Sequence, residues 1–271
     1  MACLTSMIEP LRAANEIAGQ VRFAWRLVSE TGGKVGSSAE VAFEADVALR
    51  DAQDLDVLIL LSCPSSRFAN ERTSNGTLRS LQRHGVRLGA ISGGVFPLVR
   101  SGMMEGQRCS VHWCYEAAFR TEFPLVKASD EVIITSGRCY TASGAAAAFD
   151  LALQMIEDEL GAGIAYEVAC WFQHPLMRGE GVRQRTPTRD SSDGAFPDLV
   201  ARAASLFSQR LESPISIAEV ADTLGVTPRQ IERAFKKATG QNPSHFYRGV
   251  RMNAARQMVL YSKDSIAEVA G

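Results

Sequence analysis

The sequence predicts two domains of different class: an α/β sandwich with a mostly parallel sheet, followed by an all-α helix-turn-helix domain. Three observations carry this. Apolar runs alternate with helix-period segments through the first two thirds of the chain. A polar stretch rich in Arg, Gly, Ser and Pro, with no apolar period, then interrupts the pattern and reads as a linker over 175–195. Beyond it every segment has helical spacing, and the hexapeptide SIAEVA occurs twice, at 216–221 and 265–270. The boundaries are therefore 1–174 for the α/β domain and 196–271 for the helical one, and 271 residues suit two cores better than one.

Element by element, residues 21–28 read as a strand, and 41–49 alternate apolar and polar as a half-exposed strand does. Residues 56–63 (DVLILLSC) are apolar on both faces, the signature of a central parallel strand covered by helices. A helix over 75–84 and a second buried strand over 86–92 (VRLGAIS) follow, then strands at 132–135 and 138–141. The helix over 145–160 carries Phe149, Leu153 and Ile156 at helical spacing, and 197–211 carries Leu199, Ala203, Leu206 and Arg210 along one stripe.

Composition excludes several classes. With 46% hydrophobic and 22% charged residues the chain is neither disordered nor fibrous. Six scattered cysteines and four scattered histidines have neither disulfide-framework nor zinc spacing, so no metal and no cofactor is expected. Cys63 reads as a small buried apolar residue, and His174 and His245 as packing or surface residues. No apolar run is long enough to span a membrane, and the N-terminus has no signal-like pattern, which points to the cytoplasm.

The first repeat copy continues as SIAEVADTLGVTPRQIERAFKKATG. Ser216 caps a helix with Ile217, Val220, Ala221 and Leu224 on its apolar face, and Gly225 supplies the turn. Thr227-Pro228 starts a second helix that buries Ile231, Ala234 and Phe235. Its opposite face carries Arg229, Glu232, Arg233 and Lys236, with Lys237 at the flank; Thr227 and Gln230 complete the predicted contact set at its start. Arginines so placed suit guanine edges and phosphate oxygens in a major groove, so the expected partner is double-stranded DNA. Charge agrees: the formal total of −1 conceals +7 over 227–263, against −6 over the first 226 residues. The plainer alternative is a solvated basic face on a helical bundle.

The segment PISIAEVADTLGVTPRQIERAFKKATGQNPSHFYRGVRMNAARQMV resembles the DNA-binding domain of AraC/XylS-type transcriptional regulators. Its helix-turn-helix, the G-x-x-P from Gly240 to Pro243 and the R-x-x-x-A-R from Arg251 to Arg256 carry the likeness. The resemblance implies two helix-turn-helix units joined by a long helix, here 243–260, commonly in an activator. The second unit is expected to be truncated, since only the repeat's start precedes Gly271.

In the first domain, Ser92-Gly93-Gly94 ends a buried strand, and Ala90-x-Ser92-x-Gly94 nearly matches a nucleophile elbow. His112 and Glu9 supply an imidazole and a carboxylate, so a triad-like convergence is one reading. A serine that merely caps a helix and a packed histidine are the other. EPLRAAN, the elbow, SGMMEGQRCSVHW and TASGAAAAFDLAL resemble the PfpI-like (type 1 glutamine amidotransferase-like) domain fused to AraC-type regulators, over most of residues 7–174.

That resemblance implies a flavodoxin-like fold and a strand before the first helix, so the first strand is expected to be missing here. It also implies a cysteine at the elbow, where this chain has Ser92. The expected reading is a non-catalytic pocket holding a small metabolite through Glu9, Arg12, Ser92, Gly93, Gly94, His112 and Trp113, in a homodimer formed by the first domain. The wording around SGGVFPLVRSGMMEGQRCSVHWCYEAAF is similar to regulators of quaternary ammonium and amino-acid catabolism. Trp113, Phe96 or Tyr115 would then face a cation, and the elbow helix with Arg12 a carboxylate. The competing readings are a PfpI-like hydrolase or amidase using Ser92, with an appended DNA-binding domain, and a nonfunctional gene remnant.

Overall fold

The computed structural model describes residues 1–175, 181–184, 197–262 and 264–270. The chain divides into two compact units, Met1–Gln184 and Arg185–Gly271.

The first unit opens with α1 (Ala2–Ala18), which buries Met7, Pro10, Ala13 and Ala14 and ends at Gly19, whose φ of 64° closes the helix. Small strands follow: β1 (Val28–Ser29), β2 (Lys34–Gly36), β3 (Ala42–Glu44) and β4 (Val47–Ala48). Then come β5 (Val57–Ser62), α2 (Glu71–Arg83), β6 (Arg87–Ser92), α3 (Val95–Arg100), β7 (Arg108–Ser110), α4 (Glu116–Glu122) and β8 (Lys127–Ser129). The unit closes with β9 (Ile133–Ser136), β10 (Cys139–Ala142), α5 (Ala145–Leu160) and α6 (Ala162–Trp171).

The main sheet has the order β5-β6-β10-β9, parallel except for β9. Its two faces carry separate cores. One gathers Leu58, Leu88, Ala90, Phe96, Leu98 and Phe119; the other places Ile91 and Ile133 against Met7 of α1 and Leu151 of α5. Behind the second, Ala13 and Ala14 let α1 approach Leu153, Ile156, Ala165 and Val168 closely.

Several expectations need correction. Of 21–28 only Val28, the first residue of β1, is strand, and Val21 is 82% exposed. The Asn15 side chain takes the backbone instead, accepting from the N–H groups of Arg22 and Phe23 and donating to the Phe23 carbonyl. The 41–49 run is two strands, because Asp46 turns aside to bind both backbone groups of Leu27. The second helix begins at Glu71, not 75: Asn70 caps it, and the Glu30 carboxylate accepts from the N–H groups of Ala69 and Asn70. β5 ends the main sheet rather than sitting at its centre, pairing only with β6 among the described residues. An apolar run on both faces reports covered faces, not paired edges.

The polar stretch over 175–195 lies mostly outside the described residues, but 181–184 is ordered structure of the first unit. Val132 donates to the Val182 carbonyl at 2.7 Å, and Gln184 is buried. A lone polar residue in a polar stretch gives no sequence signal that it will be buried.

The elements of the second unit among its described residues are all helices: α7 (Asp198–Gln209), α8 (Ile217–Leu224), α9 (Pro228–Thr239), α10 (Pro243–Tyr261) and α11 (Ile266–Ala270). Its core joins Val200, Ala203, Phe207, Val220, Ile231, Phe235, Phe246 and Tyr247. The buried stripe of α7 is thus Val200, Ala203 and Phe207, one residue round from the expected Leu199 and Leu206, which pack at its margin; Arg210 lies beyond the helix end.

Candidate functional site

In an open parallel sheet the strands' carboxyl ends form the natural ligand crevice. Here β5, β6 and β10 run parallel, with Ser62 opposite Ser92 and Ala142 opposite Ile91. The elbow is real: Ser92 has φ 56°, a left-handed conformation a serine adopts only under constraint. The two residues after it must be glycine. A Cβ on Gly93 would lie 2.4 Å from the Ser62 carbonyl oxygen, and one on Gly94 would lie 1.9 Å from that of Leu60. The turn is thus pressed against the end of β5 and projects Ser92 at the sheet's rim.

His112 reaches the same rim, since a Cβ on Gly144, two residues past β10, would meet its Cδ2 at 3.3 Å. Its imidazole is not engaged with Ser92. Nδ1 lies 2.8 Å from the Cys114 Sγ and accepts from the Cys114 N–H at 3.3 Å. Burial pushes the His112 pKa down and the Cys114 thiol up to about 11, so the pair is neutral at pH 7. Among the described residues Ser92 has no hydrogen-bonded base. Glu9 and Arg12 lie on α1 and bind each other at 3.0 Å, and Arg12 also binds Glu16 at 2.8 Å. Arg12 therefore reaches a ligand carboxylate only in competition with two carboxylates of its own helix.

The rings of Trp113 and Tyr115 flank His112, with centroids 5.5 and 5.4 Å away. Phe96 does not join them as an open face. It is fully buried, edge-on to Phe119 and Phe123, and its cation is Arg100 of the same chain, 5.5 Å from the ring. Its place on α3 facing the sheet explains this: the elbow turns the helix so that its apolar side covers β5 and β6.

Cys63 is a correction and a missed residue. It is exposed at the end of β5, and its Sγ lies 2.8 Å from the Ser66 hydroxyl and 3.4 Å from that of Ser65. Burial raises its pKa, but these hydroxyl contacts together with backbone hydrogen bonds at Ser66 and Cys63 outweigh it and leave the thiol below its ordinary value. The signal was the CPSS sequence that ends the strand, where hydroxyl residues follow the cysteine directly. Arg100 holds that loop, donating to the carbonyls of Pro64 and Ser66 while pairing with Glu122.

The helix-turn-helix is built from local chemistry. Ser216 and Glu219 form a reciprocal cap, Gly225 has φ 68°, and Thr227 and Gln230 repeat the reciprocal cap before Pro228. On α9, Ile231 and Phe235 face the core, while Arg229, Glu232, Arg233, Lys236 and Lys237 are exposed. The contact residues differ in freedom. Thr227 and the Gln230 side-chain Oε1 are committed to the cap, and Lys236 donates to the Gly240 carbonyl at 3.0 Å. Arg229, Arg233, Glu232 and Lys237 make no side-chain bond among the described residues. A cavity of about 320 Å³ lies wholly within this unit, lined by Pro214, Ile215, Ser216, Tyr247, Arg248 and Arg251.

An α/β unit with a tight strand-to-helix elbow, joined in sequence to a helix-turn-helix with exposed arginines, defines the class of a DNA-binding regulator. The comparisons agree. The DJ-1/PfpI family matches residues 5–158, and a helix-turn-helix domain matches 220–271. The chain is 32% identical to the HTH-type transcriptional regulator GbdR of Pseudomonas aeruginosa over 267 residues, 98% of this chain and 72% of that protein. It is 29% identical to the HTH-type transcriptional regulator GlxA of Rhizobium meliloti over 266 residues, covering 98% and 82%. The crystal structure of an AraC family transcriptional regulator from Pseudomonas putida shares the fold, with TM-score 0.57 and 21% identity over 64% of this chain and 92% of that one. The chain belongs to the DJ-1/PfpI family, among the HTH-type transcriptional regulators that join such a domain to an AraC-type helix-turn-helix. It is a DNA-binding transcription regulator.

Proposed function

We propose that the first unit is a non-catalytic sensor whose small-molecule effector binds at the sheet's carboxyl rim. The observation that carries this is the His112 bond to Cys114 instead of Ser92: a serine hydroxyl without a base is a weak nucleophile. The effector site comprises Ser92, Gly93, Gly94, His112 and Trp113, with Glu9 and Arg12 on the neighbouring helix. The half-buried rings of Trp113 and Tyr115 around a neutral imidazole favour a cationic metabolite, a quaternary ammonium compound or an amino acid. The regulator acts in the cytoplasm as a homodimer through its first unit.

Calorimetry with glycine betaine, carnitine and arginine tests the effector class. Binding weakened by Trp113→Ala supports it, and no binding by any of the three rejects the class. On the DNA side, the free pair Arg229 and Arg233 are the readers. Arg229→Ala or Arg233→Ala is expected to weaken specific binding by ~1–3 kcal/mol per lost base contact, measured by gel shift. Normal binding by both variants removes α9 as the reading helix. Hydrolytic turnover abolished by Ser92→Ala would instead favour an enzyme.

A further inference from the structure

Arg12 is bound to Glu9 and Glu16, so the rim needs another donor for the anionic end of a ligand. Such donors gather where β10 passes into α5. The Ser143 N–H donates to the Val132 carbonyl at 2.9 Å, which carries the β9–β10 ladder one residue past Ala142. Side chains alternate along a strand, so Ser143 shares the face of Thr141, whose hydroxyl accepts from the Ser110 N–H at 2.9 Å. Ser110 ends β7, and His112 follows two residues on. Ser143 thus faces the His112 side of the sheet. It is 6% exposed, yet its hydroxyl makes no hydrogen bond among the described residues and keeps contact with solvent.

His112 is turned towards the same place. A Cβ on Gly144 would lie 3.3 Å from its Cδ2 and 3.8 Å from its Nε2. Nδ1 accepts from the Cys114 N–H, so the neutral ring carries its proton on Nε2. Among the described residues that Nε2–H has no acceptor. The helix supplies the third set of donors. Gly144 caps α5 without a side chain, and no acidic residue stands in the first turn. The N–H groups of Gly144, Ala145 and Ala146 meet no acceptor among the described residues. This helix is 16 residues long, and its dipole places partial positive charge at the same point. Donors of three kinds that share one place and lack an acceptor complement an anion.

We propose that the start of α5, with the Ser143 hydroxyl and the His112 Nε2–H, is the carboxylate subsite of the effector site. This rests on the rim of the sheet being the effector site. The rings of Trp113 and Tyr115 stand 5.5 and 5.4 Å from the imidazole, so a cation beside them and a carboxylate at α5 fit within one small zwitterion. The ligand class is an ammonio-carboxylate, and an amine without the carboxylate lacks one of the two anchors.

The first probe is sodium acetate, titrated into the full 15N-labelled chain at pH 7 against sodium chloride of equal ionic strength. Saturable NMR shifts are expected at the Ala145 and Ala146 amides and at the His112 Nε2. Ser143→Ala and His112→Phe each remove one donor, and each is expected to raise the acetate Kd about tenfold. If Ser143→Ala does not fold by circular dichroism, His112→Phe alone decides. No saturable shift, or an unchanged Kd in a folded variant, overturns the subsite. Calorimetry separates this from the effector reading. Glycine betaine is expected to bind at least about tenfold more tightly than choline, and arginine than agmatine, since choline and agmatine lack the carboxylate. Choline binding as tightly as glycine betaine overturns the subsite and leaves the effector reading standing. Acetate shifts without binding by any metabolite reject the effector class and leave the anion subsite.

Discussion

Residues 216–221 and 265–270 have the same six letters, fold into the same capped turn, and meet different surroundings. In both copies the serine N–H donates to the glutamate carboxylate at 2.7 Å, and the glutamate N–H donates back to the serine hydroxyl, at 3.2 and 3.3 Å. In α8 this turn sets Val220 and Ala221 into the core beside Ile231 and Phe235. In α11 no residue is buried, and Ile266 is 74% exposed where its counterpart Ile217 packs at the core margin. Capping is therefore written in the hexapeptide itself, whereas stability depends on what its apolar face meets.

The comparison can be broken at several points. The largest effect is expected at the partner surface of α8. Phe235→Ala should cost the second unit ~3–5 kcal/mol, seen as a lower urea midpoint for its transition. Val220→Ala should cost about 2 kcal/mol in the same measurement, while Val269→Ala, its counterpart in α11, should stay within about 0.5 kcal/mol. Equal losses from the two valines would mean that α11 also has a packed face. Ser216→Ala should cost about 1 kcal/mol, and Ser265→Ala should leave the midpoint unchanged while abolishing exchange protection in 266–270.

The smallest effect is in pH. Hydrogen bonds from Ser216 and Ser265 lower the pKa of Glu219 and Glu268 below the ordinary 4.5. Each cap's stabilisation is then present above 4.5 and lost as the pH falls through the lowered native value. Both carboxylates should titrate low by NMR, but only that of Glu219 should track unfolding of the core.

The same division explains what could be read from the letters. Caps and turns were legible because their chemistry is local: Ser216, Gly225, Thr227 and Pro228 announce the helix-turn-helix without reference to anything distant. The helix at Ala145–Leu160 and the strand at Arg87–Ser92 were legible through period and apolarity. The elbow was legible too, since Gly93 and Gly94 are imposed by backbone crowding. Neighbour relations were not. Nothing in DVLILLSC says which edge of the strand is paired, and nothing in His112 says that it will bond Cys114 two residues on. Gln184 was hidden for the same reason, because its partners at Val111, Trp113 and Glu131 are backbone groups far away in sequence.

Cys63 gives a practical means of observing the rim. Of the cysteines, only Cys63 and Cys170 are exposed, and the serine hydroxyls beside Cys63 favour its thiolate. At mildly alkaline pH a maleimide dye should therefore attach to Cys63 ahead of the buried thiols, and in a Cys170→Ser background at that position alone. Because Ser62 stands opposite Ser92, the fluorophore would sit at the threshold of the elbow. Its emission would then report an arriving metabolite directly, turning the search for the effector into a plate-reader screen.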